Sequence, residues 1–119
     1  ASGEAGLACL LEANPTLEGV FVATDQMALG ALQAARRLGR NIPEDLALVA
    51  FDDIPEAAYF YPPLTTIRQD LEAMGAYAVL RLHERIGADV SEIPEPRQPT
   101  WIEPELVVRV SSLWKQRNC

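Results

Sequence analysis

The residues with chemistry to offer stand at the ends of two apolar runs. Val20-Phe21-Val22-Ala23 is followed at once by Thr24 and Asp25, and Leu46-Ala47-Leu48-Val49-Ala50-Phe51 by Asp52 and Asp53. A hydroxyl and several carboxylates at neighbouring strand ends can exchange hydrogen bonds with a solute bearing hydroxyl or amine groups. Structural work competes for two of these acids: Asp25 could cap its own helix, and Asp53 the turn after Pro55. Such acids could also hold Mg2+ and take up a phosphoryl group, but that chemistry needs a lysine at an adjoining strand end. The sole lysine is Lys115, in the tail. Hydrolysis fares no better. Ser2, Ser91, Ser111 and Ser112 lack a nucleophile's setting, and His83, the sole histidine, falls mid-helix away from the rim. Cys9 and Cys119 lie at opposite ends with no metal-ligand spacing; this usage suits a reducing cytosol, and Cys9 reads as a small core residue. A binding module without catalysis, metal or cofactor is the expectation.

The elements that must position these residues follow from hydrophobic pattern and punctuation. Residues 17–23 and 46–51 read as continuous apolar strands, and residues 25–38 as the helix between them, closed by Gly39 in the left-handed conformation. Strand, helix, strand with short links implies a right-handed parallel crossover, which brings Thr24, Asp25, Asp52 and Asp53 to one rim. In open α/β sheets small ligands sit at that rim, where helix N-terminal N–H groups also point. Within the helix Ala28, Ala31, Leu32 and Ala35 face the sheet, while Leu29 falls on the polar side. It is either a lone exposed leucine or a subunit contact. Arg36, Arg37 and Arg40 complement the dipole at the helix end and read as a solvated surface.

A preceding helix over residues 2–12 presents Leu7, Ala8, Leu10 and Leu11, with Ser2 as its N-cap, and Asn14-Pro15 ends it. Downstream, a helical turn over 56–60 leads into Pro62-Pro63, and residues 64–68 form a short strand. The longest helix, 70–87, carries a stripe of Leu71, Met74, Ala78, Leu82 and Ile86 flanked by Tyr77, Val79 and Leu80, so it wants covering over a broad arc. A proline-rich linker covers 88–99, extended chain 101–110, and 113–119 looks frayed.

The 119 residues, 49% hydrophobic and 23% charged, fit one α/β domain with no membrane-spanning run and no leader. The opening residues read as the start of a helix, as in a fragment of a longer chain. A net charge of −7 makes the segment a poor partner for nucleic acid.

Thr24-Asp25-Gln26-Met27-Ala28-Leu29-Gly30-Ala31-Leu32, Ile42-Pro43-Glu44-Asp45-Leu46, Val49-Ala50-Phe51-Asp52-Asp53-Ile54 and Pro62-Pro63-Leu64-Thr65-Thr66-Ile67-Arg68-Gln69 occur in this order, and Glu105-Leu106-Val107-Val108-Arg109 follows. Together they closely resemble the effector-binding domain of the lactose/galactose repressor family of bacterial transcription regulators. A periplasmic sugar-binding protein of a transporter, which shares the fold, is the other reading. The resemblance implies an α/β fold, a three-layer parallel sheet flanked by helices, forming one lobe of a periplasmic-binding-protein-like domain. Residues 1–68 would be the C-terminal lobe, 69–98 a crossover helix and linker packed on a first lobe, 99–112 a returning strand and 113–119 the tail. It further implies that Thr24, Asp25 and Asp52 contact a small effector, such as a sugar. Thr24 stands where the family commonly has asparagine. Leu29 and Phe60 would lie in a homodimer contact. The protein would be cytoplasmic, reaching DNA only through an N-terminal headpiece outside this chain.

Overall fold

The computed structural model describes residues 2–86 and 101–113. Contacts divide the chain into two compact units, Ala1–Arg68 with Glu105–Cys119, and Gln69–Pro104.

The first unit is a four-stranded sheet in the order β1-β2-β3-β4: β1 Gly19–Phe21, β2 Ala47–Asp52, β3 Thr65–Arg68 and β4 Glu105–Val107. The first three strands are parallel, as expected, but β4 runs antiparallel to β3, so the sheet is mixed rather than wholly parallel. β1 is shorter than the apolar run suggested because it pairs on one side only; its ladder bonds extend from the Glu18 carbonyl, which accepts Ala47 N–H, to Val22 N–H, which donates to the Val49 carbonyl.

Among the described residues this unit has two α-helices, α1 (Ser2–Ala13) and α2 (Asp25–Arg37). α2 starts where Thr24, in extended backbone, accepts Met27 N–H at 3.2 Å; it stops at Leu38, and Gly39 takes the positive φ of +69° that ends such a helix without a Cβ penalty. Ala28, Ala31, Leu32 and Ala35 are buried with Leu46, Leu48, Ala50 and Leu64 in the core. α1 lies along α2 through Gly3, Leu7 and Leu11, a row at four-residue spacing. The approach is close enough that a Cβ on Gly3 would stand 1.9 Å from the Met27 carbonyl oxygen. That row leaves Leu10 and Cys9 off the packed face: Leu10 is half exposed and Cys9 is exposed, not the core residue its small apolar character suggested. Ser2 lies inside α1 rather than capping it. At the far end of α2, Arg37 pairs with Glu4 and Arg40 donates to the Pro15 carbonyl.

The second unit is represented by α3 (Leu71–Ile86), whose cap is Asp70: its Oδ1 accepts Ala73 N–H at 2.8 Å. No residue of α3 is buried, and Leu71, Leu82 and Ile86 of the apolar stripe are exposed. Arg81 lies over the Tyr77 ring at 5.7 Å. The expected linker at 88–99, with Ser91, and the tail beyond Leu113, with Lys115 and Cys119, lie outside the described residues.

Candidate functional site

The parallel register brings the rim residues to one end of the sheet. Phe21 pairs with Val49, and Thr24 stands three residues beyond that last pair, at the same end of the sheet as Asp52; on the other flank Asp52 pairs directly with Arg68. Thr24 and Asp52 are both half-buried. Thr24 spends its oxygen on the helix cap and keeps its hydroxyl proton to donate.

The three acids have separate fates. Asp25 is fully buried: Oδ1 accepts the Thr66 hydroxyl at 2.6 Å and Oδ2 accepts Ile54 N–H at 2.9 Å. Expected among the ligand contacts, it has each oxygen hydrogen-bonded within the fold, and Thr24, not Asp25, is the helix cap. Asp53 does not cap the turn at Pro55–Tyr59, whose N-cap is Ile54 with no side-chain bond. Its carboxylate takes Arg68 Nε at 2.7 Å and an Arg109 N–H at 2.8 Å. Burial alone would raise the Asp53 pKa. The hydrogen bonds from Arg109 and Arg68, with their charges, overcome that and hold it below the usual 3.8. Arg68 continues to Glu105 at 3.1 Å.

Asp52 is the exception. Among the described residues no donor meets its carboxylate, while its two neighbours in this acid set are fully engaged. Its backbone is unusual as well: φ is +122° at Asp52 and +55° at Asp53. Non-glycine residues held this way carry roughly 1–3 kcal/mol of strain each and persist only where the surroundings fix them. A hydroxyl donor at a helix start and a carboxylate that meets no donor among the described residues, at one end of the sheet, suit a polar solute. No group of three or more metal-ligating side chains occurs among the described residues.

Sequence reasoning missed the polar scaffold beneath the rim. Thr65 and Thr66 point to opposite faces of β3, as strand alternation requires. Thr66 serves Asp25 and Asp53. Thr65 hydrogen-bonds the Arg109 backbone and the Ser112 hydroxyl, and its N–H donates to Ser111 Oγ at 2.8 Å. Ser111, fully buried, donates onward to the Leu48 carbonyl at 2.6 Å. Successive buried threonines were the available signal; Ser111 and Asp25, their partners more than forty residues away, were not. Leu29 is exposed on α2, and Phe60 is half-buried against the core. An open groove of about 810 Å3 lies before β2 and β3, lined by Ile42, Pro43 and Tyr61 among others, at the end opposite the acids. No helix among the described residues is long and apolar enough to cross a membrane.

The family described as periplasmic binding protein-like domain matches residues 2–112. The chain is 44% identical over 110 residues to the HTH-type transcriptional regulator MalR of Streptomyces coelicolor, covering 92% of this chain and 30% of that protein. Among solved structures, a complex of the transcriptional regulator CelR with cellobiose superposes with a TM-score of 0.81 at 39% identity, over 93% of this chain and 33% of that one. The lac repressor dimer bound to operator and the anti-inducer ONPF gives 0.80 at 31% identity, over 94% and 37%. The chain spans about a third of the length of the curated relatives it matches. It belongs to the periplasmic binding protein-like domain family, in the form carried by regulators of the lactose/galactose repressor family.

Proposed function

We propose that this chain is the ligand-sensing part of a DNA-binding transcription regulator, that it binds a small polar effector of the sugar class, and that it does so without catalysis. The Asp52 carboxylate carries this reading: among the described residues Asp25 and Asp53 are committed to the fold, and Asp52 alone of the three meets no donor. Thr24, at the same end of the sheet, supplies a donor, and Asp25 supports the site from the core. The cellobiose complex of the similar CelR supports a sugar as the ligand class. The absence of catalysis is supported by the regulators among its relatives and by the serines, since Ser111 and Ser112 are spent on the backbone and Thr65.

DNA contact belongs to residues outside this acidic chain. A cytoplasmic homodimer with Leu29 and Phe60 at its contact is supported by the exposure of Leu29 and by the dimeric lac repressor. The apolar stripe of α3 supports packing of residues 69–98 on a further lobe.

Calorimetry with cellobiose on the full-length protein tests the site. Asp52→Asn exchanges a charged acceptor for a neutral one and is expected to weaken binding by about 1.5–3 kcal/mol, some ten- to a hundredfold. Unchanged affinity would make Asp52 a structural residue and refute the reading.

A further inference from the structure

Among the described residues nothing holds the Asp52 carboxylate, yet its backbone adopts a conformation that L-residues avoid, followed by a second one at Asp53. The Asp53 carboxylate is tied to Arg68 and Arg109, and the amides of the two residues after Asp52 show a second hold on the turn. Asp53 N–H donates to Thr66 Oγ1 at 3.3 Å, and Ile54 N–H donates to Asp25 Oδ2 at 2.9 Å. These two acceptors are bound to one another, since the Thr66 hydroxyl donates to Asp25 Oδ1 at 2.6 Å. Both side chains have no exposed surface. The pair therefore links the start of α2, the middle of β3 and the turn leaving β2 into one closed hydrogen-bonded unit.

We propose that Thr66, together with Asp25, is a positioning residue that holds the left-handed turn at Asp52–Asp53 and so sets the direction of the Asp52 carboxylate at the rim; this rests on the reading of Asp52 as the effector's acceptor. Packing alone does not explain the choice of residues. A valine fills the space of Thr66, and an apolar residue at position 25 would spare a buried carboxylate, so the polar pair serves the amides it binds. A buried network with every member satisfied also fixes geometry more sharply than apolar contacts do. Such preorganisation lets a binding group meet its ligand without first being ordered.

The test compares Thr66→Val, which keeps the shape and removes the hydroxyl, with Thr66→Ser, which restores it, in the full-length protein. Amide hydrogen exchange, which needs no ligand, should show Asp53 N–H exchanging about tenfold faster in Thr66→Val and near the original rate in Thr66→Ser. Cellobiose affinity should fall about tenfold in Thr66→Val and recover in Thr66→Ser. The decisive comparison is made in the Asp52→Asn background, where Thr66→Val should cost no further affinity if it acts through Asp52. An equal loss in both backgrounds, or unchanged protection of the Asp53 amide, overturns the proposal. An Asp52→Asn protein that binds as tightly as the original removes Asp52 from the site, and the exchange of the Asp53 amide then decides by itself whether Thr66 holds the turn.

Discussion

Replacing Asp53 with asparagine isolates the charge behind the rim. Asparagine has the same size and accepts the φ of +55° at this position, so no backbone penalty enters. What changes is the pairing with Arg109, at 2.8 Å between side chains only 6% and 18% exposed. Removing one member of a fully buried ion pair costs about 3–5 kcal/mol, and a hydrogen bond to a charged group contributes about 1.5–3 kcal/mol. Arg109 keeps some contact with water and a second bond to the Leu64 carbonyl, so the expected loss is about 2–3 kcal/mol. Arg68 is half exposed and adds nothing that solvent does not screen.

Urea unfolding should show a midpoint lower by about 1–2 M at neutral pH. The pH dependence gives a second handle. Because folding lowers the Asp53 pKa below 3.8, its contribution is complete above that value and fades as pH falls through it towards the folded-state pKa. The gap between the original protein and Asp53→Asn should therefore be widest near neutrality and shrink below about pH 4. A gap of constant size from about pH 7 to about pH 3, or one under about 0.5 kcal/mol at neutrality, would refute the argument.

Gly3→Ala would drive a methyl group into the Met27 carbonyl, 1.9 Å away, and is expected to cost about 3 kcal/mol and lower the thermal midpoint by about 10 °C; a melt within 2–3 °C of the original would show that α1 shifts freely along α2. Thr65→Val leaves the Arg109 N–H and the Ser112 hydroxyl short of a partner and should cost about 1–3 kcal/mol in denaturant unfolding, with Thr65→Ser close to neutral. Leu29→Arg puts a charge on exposed α2 surface and should shift sedimentation towards monomer at micromolar concentration with an unchanged circular dichroism spectrum; unaltered assembly would take that surface out of the contact.

Local chemistry determined a good deal by itself. The apolar runs leading to Asp25 and Asp52, Gly39 at the end of α2 and the double proline before β3 each act through neighbours within a few residues. They marked the β1–α2–β2 unit and the rim it creates. The helical stripe of α3 was visible for the same reason, because its period is a property of the segment. Where a residue's partner lies far along the chain, its type alone could not decide its role. Three aspartates after apolar runs look alike in a string. One meets Thr66 across 41 residues, one meets Arg109 across 56, and one meets no donor among the described residues. The direction of β4, the exposure of Cys9 and the closeness of Gly3 to Met27 were likewise settled by packing between elements. A carboxylate's work is fixed by the donors that surround it, and those donors assemble only when the chain has folded.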